Sequence, residues 1–212
     1  MTQGRTQGSR FAPSPGEVVI ERIGPKRLPE YCSIPTLVDI RTTLEVREVD
    51  GGLGGIVLEE RPVQTPWVKD YDSYSETPAD WPKQWDLRNW CLLLATIEGR
   101  AVGGVCIVTR TKGVNMLEGR DDLAVLWDIR VSPAHKRRGI GRALFAEAVE
   151  WSREQGMTTL KIETQNDNVP ACKFYSGQGA HLGAINRFAY RDALWSHPDV
   201  RNEVMLLWYY QL

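Results

Sequence analysis

The sequence predicts an α+β domain built on a mixed sheet. The predicted elements follow the order strands, helix, strand, helix, strands. The unit made by residues 124–131, 141–155 and 158–164 is a strand–helix–strand crossover, so its two strands should be parallel. With 212 residues, of which 42% are hydrophobic, the chain is long and apolar enough for one domain with a real core.

The domain is expected to cover residues 17–212. Residues 1–16 are polar and rich in Gln, Gly, Ser, Arg and Pro, with no apolar segment. This composition is typical of a disordered tail and not of a secretory signal.

The first half of the sequence predicts strands joined by tight turns. An apolar run over 18–23 and loosely alternating residues over 37–49 indicate strands, with Asp50-Gly51-Gly52 as the turn before a return strand from Ile56. Between Pro62 and Trp90, four prolines are mixed with aromatic residues, which favours a loop or lid over a core strand. Strands follow over 91–97 and 101–109, joined by a hairpin turn at 98–100.

The second half predicts the crossover and the last strands. The helix over 141–155 is amphipathic, with Leu144, Ala148 and Trp151 on one face and a stop at Gly156. A shorter helix over 169–178 has Pro170 in its first turn. Strands over 182–190 and 203–210 complete the sheet.

A basic, glycine-containing loop joins the strand at 124–131 to the following helix. The first turn of a helix has free N–H groups and a dipole that favours anions, and glycine allows close approach of a phosphate to the backbone. The loop therefore predicts a site for a diphosphate. It matches neither the P-loop nor the complete Gly-x-Gly-x-x-Gly pattern. Its residues are Lys136, Arg137, Arg138, Gly139, Ile140, Gly141 and Arg142.

Composition argues against several other classes of function. The net charge is −1, and no wider basic face extends from Arg137 and Arg138, so nucleic acid is not an expected partner. No run approaches the roughly 20 apolar residues that span a membrane. The histidines are isolated and the cysteines are scattered, which predicts no metal site and buried thiols in a reducing compartment. The expected location is the cytoplasm.

Two motifs carry a resemblance to a known family. Residues 136–141 read Lys-Arg-Arg-Gly-Ile-Gly, and residues 168–175 read Asn-Val-Pro-Ala-Cys-Lys-Phe-Tyr. They resemble the Gln/Arg-x-x-Gly-x-Gly/Ala and Asn-x-x-Ala-x-x-apolar-Tyr motifs of the GCN5-related N-acetyltransferase (GNAT) superfamily. Lys136 is a mild departure from the first motif, and Ala180 stands where the family usually has Phe. The resemblance implies a mixed, mostly antiparallel sheet whose central parallel strands splay apart, flanked by helices.

Within that superfamily, three segments resemble the streptothricin acetyltransferases. They are residues 65–72, 163–175 and 207–210. This likeness implies an enzyme that acetylates an antibiotic amine and so confers resistance.

The resemblance also implies where acetyl-CoA binds. Backbone groups of Ile129 and Val131 would pair with the pantetheine amides, and Asn168 would hydrogen-bond the same arm. The amides of residues 137–142 would hold the pyrophosphate, in agreement with the expected behaviour of the loop.

The chemistry requires two proton movements. An alkyl ammonium, with a pKa of about 10.4, must lose a proton before it attacks the thioester, and the departing thiolate benefits from a proton donor. Tyr175 matches the family's general acid. Glu163, which alternation places on the face opposite Ile162, is the first candidate for the base, and Asp128 on the adjacent strand is the second. A water chain can serve instead, and each carboxylate can also be a salt-bridged or solvent-facing acid.

The acceptor is expected to be a small, cationic primary amine, such as a streptothricin-like antibiotic, a polyamine or an amino-acid-like amine. Between residues 70 and 86, five acids stand against one lysine among aromatic residues, and Asp70, Tyr71 and Asp72 are the predicted contacts. The aromatic residues can equally be core packing, and the acidic residues can be ordinary solvent-exposed surface.

Two alternative functions stay open: a protein or peptide N-acetyltransferase, and a non-catalytic acyl-CoA-binding domain. A homodimer through exposed edge strands is also left open.

Overall fold

The computed structural model describes residues 16–73, 76–191 and 202–212. The predicted tail, apart from Gly16, lies outside these residues, so its disorder stays a prediction. The strands are β1 Val19–Ile23, β2 Leu37–Glu48, β3 Ile56–Asp70, β4 Trp90–Ile97, β5 Arg100–Thr109, β6 Leu123–Val131, β7 Thr159–Gln165, β8 His181–Asn186 and β9 Met205–Gln211. The α-helices are α1 Leu28–Cys32, α2 Trp81–Gln84, α3 Ile140–Glu154 and α4 Val169–Gly177.

Seven strands form the main sheet, in the order β1-β4-β5-β6-β7-β9-β8. Every neighbouring pair is antiparallel except β6 and β7, which are parallel. The predicted α+β class and the parallel crossover are therefore confirmed. The sequence did not predict the two short helices α1 and α2, which have too few residues to show a helical period.

The two parallel strands separate part-way along their length. Their pairing covers only four positions, from Leu123↔Thr159 to Leu126↔Ile162. Beyond these positions, within the described ranges, β6 pairs only with β5 and β7 pairs only with β9. The sheet thus opens into a V-shaped cleft between residues 127–131 and residues 163–165, as the GNAT resemblance implies.

A β-bulge lies on β6 at the point where the cleft begins. Leu126 pairs with Ile107 and Asp128 pairs with Cys106, so Trp127 has no opposite residue on β5. Trp127 packs in the smaller of two hydrophobic cores, whereas Leu126 and Ile129 pack in the larger.

Each face of the sheet carries one of these cores. Helices α3 and α4 cover the larger one, which contains Leu144, Leu160 and Ile162. The smaller core, on the opposite face, contains Tyr31 of α1 and Trp81 of α2. Side chains of β6 and β7 that point to one face of the sheet therefore lie beside a different core from those that point to the other face.

Strands β2 and β3 form a separate two-stranded ribbon. The prediction of a loop from Pro62 onward is wrong for residues 62–70, which belong to β3. Proline is tolerated here because, among the described residues, each ribbon strand has a single partner strand, and Pro66 falls where the register shifts opposite Arg41. The ribbon is joined to the main sheet by the backbone amide of Leu44, which donates to the carbonyl of Asn166 at 2.8 Å.

Within the described ranges, no helix has both the length and the apolar character needed to cross a membrane. No cluster of metal-ligating side chains occurs in the same part of the chain. The cysteines are free thiols, and Cys91, Cys106 and Cys172 are buried, as predicted.

Candidate active site

The basic loop has the backbone geometry of an anion site. Gly139 precedes the first residue of α3 in the left-handed conformation, with φ 85°, and makes no side-chain cap. None of the backbone amides from 137 to 142 donates a hydrogen bond to another described residue. A run of free N–H groups at the positive end of a 15-residue helix is well suited to bind a diphosphate.

The side chains of this loop differ in what they offer. Arg137, Arg138 and Arg142 are exposed to solvent. Lys136 instead donates to the carbonyl oxygen of Leu37 on the ribbon at 2.8 Å, and partial burial lowers its pKa. Ile140 is buried in the larger core, so only its backbone amide faces the loop.

The edge of β6 that faces the cleft has no strand partner among the described residues. Ile129 and Val131 lie on this edge, each half-buried against the larger core. Their backbone groups can therefore pair with an extended, amide-containing ligand as another strand would. Their contact with pantetheine stays a prediction.

Tyr175 lies on α4 with its ring in the larger core, 4% exposed, packed against Phe145 and Phe174. Its hydroxyl makes no hydrogen bond within the described part of the chain. Burial, together with the negative charge of Asp128, raises the pKa of Tyr175 well above its ordinary value. The group therefore carries its proton at any neutral pH.

Asn168 is the N-cap of α4. Its Oδ1 accepts from the backbone N–H of Ala171 at 3.2 Å, and its Nδ2 donates to the hydroxyl of Tyr71 at 3.0 Å. The side chain thus positions the helix that carries Tyr175, and its predicted contact with pantetheine competes with the bond to Tyr71.

Asp128 is held in an ion-pair network on the face of the smaller core. Its Oδ2 accepts from Tyr31 at 2.5 Å and from Arg130 Nε at 2.8 Å, and its Oδ1 accepts from Arg130 at 3.1 Å. The Arg130 side chain is only 3% exposed and also binds Asp72 and the carbonyl of Ile34. Both oxygens of Asp128 are therefore occupied, and the salt-bridged alternative describes this residue better than the general base.

The acids of the predicted lid also have internal partners. The carboxylate of Asp70 accepts hydrogen bonds from the Thr36 hydroxyl and from the backbone amide of Asp72. The carboxylate of Asp72 is paired with Arg130. Asp80 and Asp86 are paired with Lys83 and Arg88 respectively. These contacts leave the lid less free negative charge than the sequence implied, so cation binding by Asp70 and Asp72 stays a prediction without direct support.

The aromatic residues of the same segment are mostly packing. Trp81 and Trp90 are buried in the smaller core, where Trp81 meets Tyr31 at 5.9 Å between ring centroids. Trp85 packs against Trp127 at 5.2 Å. The packing alternative is therefore the correct one for these rings.

Glu163 lies at the cleft on the face opposite Ile162, as alternation predicted. Its Oε1 accepts from the hydroxyl of Tyr190 at 2.6 Å and, more weakly, from Gln165 Nε2 at 3.4 Å. Burial raises the pKa of Glu163, while the bond from Tyr190 and the charge of Lys161 act in the opposite direction. A raised pKa in a partly dry cleft suits a general base, and this role of Glu163 stays a prediction.

Sequence reasoning missed a buried charge cluster beside this residue. Lys69 is 2% exposed, and its Nζ lies 3.0 Å from Asp167 and 2.6 Å from Glu203, with Tyr71 beneath it at 4.7 Å from the ring centroid. Burial and the charge of Asp167 raise the pKa of Glu203 to about 7. Lys69 and Glu203 are 134 positions apart, so no local pattern could have joined them.

A cavity of about 340 Å³ lies between the ribbon and the end of β7. Three arginines and one glutamate line it, so its charge does not suit a cationic amine, and neither Glu163 nor Tyr175 takes part in it. Its lining residues are Thr43, Glu45, Val46, Arg61, Asn166, Arg187, Arg191, Asn202 and Val204.

The comparison with protein families decides the assignment. The model of the acetyltransferase (GNAT) family matches residues 60–180, which is more than half of the chain. The chain belongs to the GNAT acetyltransferase family. The matched range includes the anion loop, the cleft strands β6 and β7, and Tyr175.

Individual relatives point to one branch of the family. The streptothricin acetyltransferase of Escherichia coli is 36% identical over 90 residues, which cover 42% of this chain. That match spans 49% of the relative, so the chain spans about half the length of this curated protein.

Solved structures share the fold. A nourseothricin acetyltransferase superposes with a TM-score of 0.70 at 22% identity, covering 92% of this chain and 98% of that one. A Bacillus anthracis protein solved in complex with acetyl coenzyme A gives a TM-score of 0.67 at 22% identity, covering 94% and 99%. At these identities the likeness shows the fold alone, and it confirms the predicted GNAT fold.

Proposed function

We propose that the protein is an N-acetyltransferase that moves the acetyl group of acetyl-CoA to a primary amine of a small, cationic, streptothricin-like molecule. The observation that carries the proposal is the cleft between β6 and β7. An anion loop lies next to β6, a half-buried carboxylate lies on β7, and a protonated tyrosine lies on the helix that follows.

Binding of acetyl-CoA is supported by two features of the backbone. The free amides of the loop suit the pyrophosphate, and the open edge of β6 suits the amides of the pantetheine arm. Arg137, Arg138 and Arg142 add positive charge at the loop.

The transfer needs a neutral amine. Glu163 accepts a proton from the acceptor ammonium, directly or through one water, and the amine lone pair then attacks the thioester carbonyl carbon. The carbon–sulfur bond breaks, and the sulfur takes the proton of the Tyr175 hydroxyl. The nitrogen is cationic after the attack and loses a second proton, which restores Tyr175 directly or through water. The products are an amide and free CoA thiol, and the proton that Glu163 gained is released to solvent.

A cationic acceptor is supported by the charges near the cleft and no longer by the lid. Among the described residues, Asp72 and Asp128 share the cation of Arg130, so this group carries a charge of −1 when both acids are ionised. Asp167 and Glu203 both pair with Lys69, and this group gains negative charge as Glu203, whose pKa is raised to about 7, ionises. Glu163 adds to it. An electronegative cleft raises the local concentration of cationic substrates.

A panel of amines with acetyl-CoA and thiol detection tests the proposal. It should contain streptothricin, a polyamine, lysine, a neutral aromatic amine and a peptide with a free α-amine, each assayed with the wild-type protein and with Tyr175→Phe. We expect the highest kcat/KM for the cationic small molecules. A preference for the peptide would favour a protein N-acetyltransferase, and acetyl-CoA binding without turnover of any amine would favour the acyl-CoA-binding alternative.

A further inference from the structure

A chain of hydrogen bonds runs from the start of α4 to Glu163. Asn168 Nδ2 donates to Tyr71 Oη at 3.0 Å, and Tyr71 Oη donates to Gln165 Oε1 at 3.1 Å. Gln165 Nε2 donates to Tyr190 Oη at 2.9 Å, and Tyr190 Oη donates to Glu163 Oε1 at 2.6 Å. The five residues come from four parts of the protein: the turn after β3, β7, the start of α4 and the turn after β8.

The donor-to-acceptor direction of this hydrogen-bond chain is determined at its first residue, Asn168. Asn168 Oδ1 accepts from the amide of Ala171, so its Nδ2 must be the group that meets Tyr71. The proton of Tyr71 then points to Gln165, the amide of Gln165 donates onward to Tyr190, and the proton of Tyr190 points to Glu163. Each donor in the chain thus points towards the carboxylate, and hydrogen bonds aligned in this way polarise one another.

We propose that Tyr190 is a positioning residue for Glu163. The hydrogen-bond chain that begins at Asn168 fixes the orientation of that carboxylate and favours its ionised form. The catalytic meaning of this inference rests on the proposed function, in which Glu163 is the base. The chain is not a proton wire, because the side-chain amides of Asn168 and Gln165 interrupt it. Its effect is to stabilise the charged carboxylate, since a hydrogen bond donated to the ionised form favours that form.

Other charges also act on Glu163 and must be separated from the chain. Lys161 lies on the same strand and is paired with Glu118. Glu203, before β9, interacts with Tyr190 and titrates at about pH 7, so it can produce a kinetic pKa of its own. Lys69 and Asp167 lie beside Glu203. The variant Glu203→Gln separates these titrations, because it removes one carboxyl without touching the bond between Tyr190 and Glu163.

The decisive variant is Tyr190→Phe, with Tyr210→Phe as the matched control. Tyr210 also packs by its ring, edge-on to Phe145 at 5.5 Å, and its hydroxyl makes no hydrogen bond with a described residue. The pKa of Glu163 is measured in the free protein by isotope-edited infrared or carbon NMR titration of the carboxyl, with Glu163→Gln to assign the signal. The pH profile of kcat/KM is measured in parallel, and the acetyl-CoA Kd and the melting temperature check the fold.

We expect Tyr190→Phe to raise the pKa of Glu163 by about one to two pH units, the value of a hydrogen bond to a charged group. The acidic limb of kcat/KM should move upward by the same amount, so the rate below the plateau falls ten- to a hundredfold while the acetyl-CoA Kd is unchanged. Tyr210→Phe should alter neither titration.

A second variant keeps the inference testable if Tyr190→Phe unfolds. Tyr71→Phe retains the ring beneath Lys69 and removes the link between Asn168 and Gln165. It should raise the pKa of Glu163 in the same direction by a smaller amount, and it should have no further effect in a Tyr190→Phe background, because the two changes interrupt one chain.

The outcomes separate this inference from the proposed function. A raised pKa of Glu163 with a matching kinetic change supports both. A raised pKa with an unchanged kcat/KM profile supports the positioning by Tyr190 and overturns Glu163 as the base. An unchanged pKa in Tyr190→Phe, or in Tyr71→Phe where only that variant folds, overturns the inference whatever the kinetics.

Discussion

The guanidinium of Arg130 holds the carboxylate of Asp72 through two hydrogen bonds of 3.1 Å each. Asp72 follows the ribbon strand β3, whereas Arg130 lies on β6 between Ile129 and Val131. The pair therefore fastens the segment after the ribbon to the strand that is predicted to contact pantetheine. Because the Arg130 side chain is almost completely buried, water screens this ion pair less than it screens a surface salt bridge.

Removal of Arg130 should destabilise the protein far more than removal of one of its partners. Arg130→Met leaves Asp72 and Asp128 without their shared cation, which should cost about 3–5 kcal/mol in the free energy of unfolding. Asp72→Asn leaves Arg130 paired with Asp128 and should cost about 1 kcal/mol. Urea unfolding of both variants measures the difference. Equal losses of unfolding free energy in the two variants would mean that Asp128 alone does not balance the buried charge of Arg130.

The anion loop should be sensitive to charge and tolerant of a methyl group at Gly141. Gly141→Asp places a carboxylate against the pyrophosphate and should weaken acetyl-CoA binding at least tenfold, about 1.4 kcal/mol. Gly141→Ala is the control, because its Cβ would lie 3.6 Å from Phe174, an ordinary contact. Calorimetric titration measures both affinities. Unchanged binding by the Asp variant would move the cofactor away from this loop.

The hydroxyl of Tyr175 should matter to the rate and not to stability or cofactor binding. Tyr175→Phe preserves the ring packing against Phe145 and removes the proton, so kcat should fall by about 10²–10⁴. The acetyl-CoA Kd should be unchanged. A single-turnover experiment ensures that chemistry is measured, and a full-rate Phe variant would rule out Tyr175 as the acid.

The stability of the protein should decrease as Glu203 ionises. Its pKa is raised to about 7 in the fold, whereas the unfolded chain titrates near the ordinary glutamate value of about 4.3. The folded state therefore binds more protons in this window, and its contribution to stability, full below pH 4.3, is lost as the pH rises through 7. The loss should reach about 3 kcal/mol relative to Glu203→Gln, which removes the titration. Unfolding free energies of both proteins at pH 4.5, 6 and 8 measure it, and parallel pH curves would contradict the prediction.

The sequence predicted those parts of the fold that local patterns determine. The amphipathic period of α3 and the apolar runs of β6 and β7 were sufficient to predict the crossover and its parallel strands. The ribbon strand over 62–70 was missed because prolines normally exclude a central strand. A two-stranded ribbon, in which each strand has one partner strand among the described residues, relaxes that rule, and ribbon architecture is a tertiary property.

The candidate site was predicted to a smaller extent. The anion loop follows from glycine, cations and a helix start, and alternation correctly placed Glu163 opposite Ile162. The partners of Glu163 could not be found in this way, because Tyr190 is 27 positions away and its approach depends on the turn after β8. The acids around Asp70 were predicted to contact a cationic acceptor, since a sequence does not show that Arg130, 58 positions beyond Asp72, is already paired with that carboxylate.

The bulge at Trp127 changes which face of the sheet the even- and odd-numbered residues of β6 point to. Before it, even-numbered residues such as Leu126 face α3 and α4; after it, odd-numbered residues such as Ile129 and Val131 do. One additional residue therefore turns Asp128 and Arg130 towards Tyr31, while the backbone of the same strand remains extended beside the cleft. Deletion of Trp127 would remove the bulge without exchanging the faces, because Asp128 would then follow Leu126 directly in the same register against β5. A strand that kept Trp127 in regular pairing would exchange the two faces, directing a buried arginine into an apolar core and an isoleucine into an ion pair.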